Sequence, residues 1–177
     1  GRESTAGVTS KSLRMSAFVQ HEVGTATTWD PACTHGFVHR LDQPSTGLLL
    51  HAESYEALML LRWQQDTLRL GREYLVLVHG EVKKCSEVLS FDQPLLLRGG
   101  GSEVSPAGRP ARTLAWPVAW LQSPGLDDDL YTLLVVRIVT GRKHQIRVHL
   151  SAAGYPVVCD RRYGRERLAD DLAWCRW

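Results

Sequence analysis

Lysine is nearly missing from this chain. Only Lys11, Lys83, Lys84 and Lys143 carry an ammonium group, so arginine supplies 17 of the 21 basic residues. No apolar run approaches the roughly 20 residues of a membrane-spanning helix, which argues against a transmembrane role. The four cysteines, Cys33, Cys85, Cys159 and Cys175, show no C-x-x-C spacing. That argues against a zinc site or a disulfide frame and for thiols of a reducing, intracellular compartment. A strong charge of one sign is absent too. The net charge of +2 is too small to mark a nucleic-acid binder by itself. There is no internal repeat, no low-complexity tract and no initiating Met. Residues 1–16 are rich in Ser, Thr and Gly and are expected to form the flexible arm of a processed or excised product.

What remains is ordinary for one globular domain. The 177 residues suffice for a proper core, and the 44% hydrophobic and 23% charged content is typical of a soluble fold. The dominance of arginine is informative because its planar fork suits bidentate phosphate contacts and stacking on bases. Several basic residues cluster: Arg142, Lys143 and Arg147, then Arg161, Arg162, Arg165 and Arg167. A solvated surface explains either cluster alone. Both beside one candidate site favour a nucleic-acid partner.

Local patterns outline the elements. Residues 45–51 read as a short buried strand around Leu48-Leu49-Leu50. Residues 53–70 read as a helix capped by Ser54, with Leu58, Leu61 and Leu68 on one face and Gly71 as its stop. Residues 72–79 form a strand apolar on both faces, hence expected at the centre of a sheet, and Gly80 ends it. From residue 83 to 112 the Pro and Gly content predicts a loop-rich connection with one short strand. Residues 113–121 are strand-like, but Pro117 restricts them to an edge or a bulge. Residues 123–129 read as a polar turn and 131–139 as a second strand. A helix is expected over 144–153, closed by Gly154. At about 100° per residue, Ile146, Leu150 and Ala153 face one way and His144, Arg147 and Ser151 the other. Few helices among many strands imply a mixed, largely antiparallel α+β sheet flanked by helices.

Two stretches concentrate the chemistry. The first runs Phe37-Val38-His39-Arg40-Leu41-Asp42-Gln43-Pro44-Ser45-Thr46-Gly47, with a lone carboxylate at a turn. The second runs Thr140-Gly141-Arg142-Lys143-His144-Gln145-Ile146-Arg147-Val148-His149-Leu150, with cations where a helix starts. A carboxylate and an arginine from distant positions, each held by an apolar element, are raw material for a polar active site. Taken alone, Asp42 reads more readily as a turn-maker, Tyr74 as a strand aromatic and Arg147 as a surface arginine. His35 and His39 stand four apart, but Gly36 lies between them and no further ligand has suitable spacing. No metal is expected.

The order and wording of the two stretches resemble the RluA-type pseudouridine synthases, whose signatures read HRLD and GR-x-HQIR-x-H. Tyr74, after Arg72 and before an apolar strand ending in Gly80, matches the family tyrosine. Pro110-Ala111-Arg112-Thr113 resembles its A-x-T segment, and Asp160-Arg161-Arg162-Tyr163-Gly164 resembles its D-x-x-Y-G. The resemblance runs from about Phe37 to Gly164. It implies a pseudouridine synthase catalytic domain over residues 31–177, preceded by a flexible or divergent segment, 1–30. The family's early strand has no counterpart in residues 1–31, and the family chain would continue past Trp177. The sheet is therefore expected to be truncated at both ends.

By this resemblance Asp42 is the catalytic residue, Tyr74 stacks on the target uracil, and Arg147 pairs with the aspartate. Arg40 enters the helix left by a flipped base, and Arg142, Lys143, His144, Arg161 and Arg162 are expected to contact RNA. The implied reaction converts uridine to pseudouridine in a structured rRNA or tRNA, at a loop or flipped-out nucleotide. It needs no cofactor, and a monomer is expected. Two rivals stay open: an inactive RNA-binding scaffold of the same fold, and a hydrolase pairing Asp42 with His39 or His144.

Overall fold

The computed structural model describes residues 15–42, 45–83, 88–122, 130–167 and 171. The chain divides into two compact units, Gly1–Arg69 and Leu70–Trp177. Among the described residues no helix is long and apolar enough to cross a membrane. The turn expected at 123–129 lies outside the described residues.

The first unit contains helix α1 (Met15–Glu22), a 3-10 turn (Ala26–Trp29), a 3-10 segment kinked at Thr34 and His35 (Pro31–Gly36) and helix α2 (Tyr55–Asp66). Helix α1 falls within the segment expected to be flexible or divergent. Ser54 caps α2 as expected, its hydroxyl accepting the Ala57 N–H at 3.1 Å. Glu56 in the first turn adds a favourable charge at the positive end of the helix dipole. Leu58 is the buried anchor. The helix stops at Asp66, short of the expected residue 70. Thr67 turns its hydroxyl back onto the Trp63 carbonyl at 2.7 Å, and Leu68 takes a left-handed backbone with φ +59°. That φ breaks the helix before Gly71 and leaves Leu68 exposed.

Residues 45–51 do not form the expected buried strand. Their pairing is confined to an isolated antiparallel bridge between Phe37 and His51 and a Val38 N–H bond to the Leu50 carbonyl at 3.2 Å. Leu48 is 91% exposed. An apolar run becomes a strand only where a neighbouring edge satisfies its backbone, and pattern alone does not reveal that edge.

The second unit is built on a four-stranded antiparallel sheet in the order β1-β6-β5-β2. Its strands are β1 (Arg72–His79), β2 (Leu89–Phe91), β5 (Thr113–Gln122) and β6 (Leu130–Ile138). A separate hairpin pairs β3 (Leu95–Arg98) with β4 (Gly101–Val104). Three short strands therefore occupy the region expected to hold one. Their lengths of three to four residues sit below what an alternation pattern can register.

Strand β1 has the expected bounds but lies at the end of the sheet, not at its centre. Its full length pairs with β6, from Arg72 opposite Ile138 to His79 opposite Tyr131. On the other side, among the described residues, an isolated bridge from Val78 to Val157 covers it, and Leu75 is 72% exposed. Strand β5 has a register shift between Pro117 and Ala119, where the proline interrupts the ladder as anticipated.

Helix α3 (Gln145–Ala152) follows β6. Leu150 joins Val78, Val82, Phe91, Ala115, Leu134 and Val136 in the main core, with Ile146 and Ala153 packed against it. Val148 meets Leu95, Ala111 and Tyr163 in a second cluster under the hairpin. Two apolar contacts on different sides of one short helix hold it against the sheet and the hairpin. The result is the expected mixed α+β fold with an antiparallel sheet.

Gly36 shows how tightly the first unit is drawn. At φ +80° an added Cβ would lie 2.7 Å from the Ala52 carbonyl oxygen and 2.6 Å from His51 Nε2. The Gly36 carbonyl meanwhile accepts the Ala52 N–H at 2.9 Å. Gly36→Ala is expected to cost about 1–3 kcal/mol, seen as a Tm lowered by roughly 2–10 °C in thermal denaturation. An unchanged Tm would mean the backbone relaxes freely at this point.

Candidate active site

Asp42 belongs to the first unit, Tyr74 and Arg147 to the second. Asp42 is half-buried in the loop between Phe37 and His51. The neck of that loop is closed by the Phe37–His51 bridge and by Leu50 N–H approaching His39 Nε2 at 3.3 Å. Beyond the neck, Ser45 N–H bonds the Asp42 carbonyl at 2.8 Å. Arg40, two residues earlier, is exposed. His51 is oriented by the His35 carbonyl at 3.0 Å; a carbonyl only accepts, so His51 Nε2 carries the proton.

Tyr74 lies in β1 opposite Val136 and is half-buried. Strand alternation puts it on the same sheet face as Val76 and Val78, the face that packs against the main core.

Arg147 has a more specific setting than a polar helix face. Its Nε donates to Asp160 Oδ2 and its Nη2 to Asp160 Oδ1, each at 2.7 Å. The arginine side chain is 18% exposed and the aspartate 1%. Asp160 Oδ1 also accepts the N–H groups of Arg162 at 2.9 Å and Tyr163 at 3.1 Å. Burial pushes the Asp160 carboxyl upward, but the Arg147 bonds and the two backbone N–H donors outweigh it. The group ends below its ordinary value of 3.8 and is ionised at neutral pH. Tyr163 closes the other side, its ring centre 5.1 Å from the Arg147 guanidinium carbon, within cation–π range.

Tyr163 also ties the hairpin to the helix. Its hydroxyl accepts Ser102 N–H at 2.9 Å and lies 2.8 Å from His144 Nδ1. Ser102 in turn donates its hydroxyl to the Lys143 carbonyl at 2.7 Å. His144, at φ 54°, makes no side-chain cap bond to the helix it precedes. The Gln145 amide oxygen accepts the Arg142 N–H at 3.0 Å and so ties the turn before the helix to its first residue.

The six residues expected to contact RNA fall into two groups. Arg40, Lys143 and Arg161 extend from the surface. The other three have partners inside the protein. Arg142 Nε donates to the Pro110 carbonyl at 3.0 Å, and Arg162 Nη2 donates to the Gly99 carbonyl at 2.7 Å. His144 engages Tyr163. Arg162 lies so close to Gly101 that a Cβ there would collide with its guanidinium at 2.5 Å. Arginine clustering in sequence thus reflects partly internal bracing of the β3–β4 hairpin. Asp160 and Tyr163 were visible only as letters of a signature; nothing in it announced the fork to Arg147.

These features have a match among known proteins. The RNA pseudouridylate synthase family matches residues 32–152, a segment that encloses Asp42, Tyr74 and Arg147. The chain belongs to this family. An uncharacterized RNA pseudouridine synthase of Chloroflexus aurantiacus is 41% identical over 138 residues, covering 75% of this chain and 40% of that protein. The ribosomal large subunit pseudouridine synthase C of Escherichia coli is 38% identical over 135 residues, covering 72% and 39%. The chain therefore spans about two fifths of the length of the curated relatives it matches. Human RNA Pseudouridylate Synthase Domain Containing 1 aligns with a TM-score of 0.63 at 25% identity, over 72% of this chain and 54% of that one.

Asp160 lies beyond the matched segment yet holds its arginine. Asp160→Asn keeps the size but replaces an acceptor by a donor facing Arg147, and is expected to cost about 2–4 kcal/mol of stability. A carboxylate with a lowered folded pKa stabilises above its ordinary pKa and loses that contribution as pH falls through the folded value. The Tm gap between parent and variant should therefore be wide at pH 6 and close below about 3.8. A gap independent of pH would assign the effect to packing instead of charge.

Proposed function

We propose that this chain isomerises uridine to pseudouridine within RNA, with Asp42 as the essential carboxylate. The observation that carries the proposal is the family match over residues 32–152, with Asp42, Tyr74 and Arg147 all present within it. In this reading Asp42 acts at the reacting nucleoside while the N1–C1′ bond breaks. The uracil turns, a C5–C1′ bond forms, and the C5 proton is lost while N1 gains one, with Tyr74 against the base during that step. Reactant and product are isomers, so no oxidant, reductant or cofactor is called for. Arg147, pre-oriented by Asp160, supplies the guanidinium that stabilises the carboxylate through the reaction.

The substrate proposed is a structured rRNA or tRNA whose target uridine lies in a loop or is flipped out, because a stacked base cannot be reached. The E. coli relative is named as a ribosomal large subunit synthase, which favours rRNA. Arg40, Lys143 and Arg161 are assigned to the RNA; Arg142 and Arg162, each bonded to a backbone carbonyl, add positive charge beside them, and His144 is held by Tyr163. Residues 31–177 are assigned as the catalytic domain and 1–30 as a preceding segment. The form proposed is an intracellular monomer in a reducing compartment.

Incubation with uridine-containing RNA, followed by digestion to nucleosides and mass spectrometry, separates the alternatives. A synthase yields a new nucleoside of unchanged mass, a hydrolase releases free uracil, and an inert scaffold does neither. Asp42→Asn is expected nearly to abolish conversion while RNA affinity stays within a few-fold, since phosphate contacts supply most of the binding. Near-parental turnover in this variant would remove Asp42 from the chemistry.

Arg147→Lys keeps the charge but not the fork, because lysine is a hydrated point charge on a flexible stem. A loss of about 2–3 kcal/mol of transition-state stabilisation corresponds to a rate lower by roughly 30- to 150-fold. RNA binding should change little. Turnover equal to the parent's would reduce Arg147 to a contributor of positive charge.

A further inference from the structure

Beneath Arg147, on the opposite side of α3, three polar side chains are buried together: Thr113, Gln145 and His149. They belong to a run of hydrogen bonds whose two ends are backbone groups, and those ends dictate the direction of every bond between them. At one end the Gln93 carbonyl can only accept, so His149 Nε2, 2.9 Å away, carries a proton. Burial pushes the His149 imidazole below its ordinary 6.5, against the weaker opposing pulls of the Gln93 carbonyl and Asp92, so the ring is neutral at pH 7. Its Nδ1 is then an acceptor, and the Thr113 hydroxyl at 2.9 Å must donate to it. The Thr113 oxygen in turn accepts from Gln145 Nε2 at 3.0 Å.

The second hydrogen of that amide goes to the Arg112 carbonyl at 2.9 Å. Gln145 Oε1 accepts the Thr140 hydroxyl at 2.8 Å and the Arg142 N–H at 3.0 Å. At the other end, Arg112 N–H, which can only donate, reaches the Thr140 oxygen at 2.9 Å. Reversing any link would leave two donors or two acceptors facing each other. The chain has one proton order.

We propose that Thr113, Gln145 and His149 are positioning residues for Arg147: through this oriented chain they lock α3 at one height and one rotation on β5. The proposal rests on the catalytic reading of Arg147 given above. Gln145 and His149 stand two residues before and two after Arg147, so both project from the side of the helix opposite the guanidinium. An apolar seam would bury the same helix face but would tolerate a small slide or turn. Directional bonds to the backbone at Gln93, Arg112 and Arg142 do not. A displacement near 1 Å at a catalytic group costs on the order of 100-fold in rate.

The test compares Thr113→Val, which removes the link without changing size, with Thr113→Ser, which keeps the hydroxyl. Two readouts are taken: kcat and KM on uridine-containing RNA, and the Arg147 Nε–H resonance in a proton–nitrogen spectrum. Thr113→Val is expected to lower kcat by roughly 10- to 100-fold with KM nearly unchanged, and to move the Arg147 resonance. Thr113→Ser should restore both. In the parent, nitrogen NMR should find His149 neutral with its proton on Nε2; a proton on Nδ1 overturns the chain. A folded Thr113→Val with parental kcat, or with the Arg147 resonance unmoved, overturns the positioning role. Should Thr113→Val not fold, Thr140→Val removes one outer link, and the same two readouts decide. A parent that makes no pseudouridine overturns the catalytic reading alone, because the Arg147 resonance still decides whether the chain positions that residue.

Discussion

A carboxylate that water scarcely reaches keeps its charge only where donors converge on it. Asp160 meets this demand with four N–H groups, two from the Arg147 fork and one each from the Arg162 and Tyr163 backbones. The arrangement binds the segment after α3 back onto α3 itself. It also sets the direction of the Arg147 guanidinium, since Nε and Nη2 are both used in holding Asp160. Tyr163 then has one placement, over the guanidinium, and from there its hydroxyl meets the backbone of the β3–β4 hairpin at Ser102. Helix, hairpin and following loop depend on this buried ion pair.

The helix that carries Arg147 is held on both sides by interactions of different character. Apolar contacts through Leu150 and Val148 supply adhesion, while the bonds of Gln145 and His149 to backbone groups supply register. Short helices draw most of their stability from packing, and eight residues offer little intrinsic helicity. Its precision therefore comes from the surroundings.

The parts legible in the sequence were those with strong local signals. Ser54 marked the start of α2, Gly80 the end of β1, Pro117 the irregularity in β5, and Gly154 the close of α3. The parts that were not legible depend on partners distant in the chain. Leu48-Leu49-Leu50 has a strand's composition but too little edge to pair with. Strand β1 is apolar on both faces yet lies at the end of the described sheet, a distinction that pairing alone decides. The hairpin of β3 and β4 is held by Arg162 against Gly101 and by Tyr163 on Ser102, contacts some sixty residues away in sequence. At the site, motif wording singled out Asp42, Tyr74 and Arg147. It could not show that Arg162 and Arg142 are partly consumed in bracing carbonyls, nor that Asp160 orients Arg147.

In the function proposed, Asp42 and Arg147 serve one chemical step, and a double-mutant cycle on the rate of pseudouridine formation tests this most directly. Rates are compared for the parent, Asp42→Asn, Arg147→Lys and the double variant, with residual activity quantified by mass spectrometry. Residues that act as a unit lose their effect once, so the double variant should be about as slow as the slower single variant. Losses that multiply, each substitution lowering the rate by the same factor with or without the other, would show two independent contributions and contradict the account.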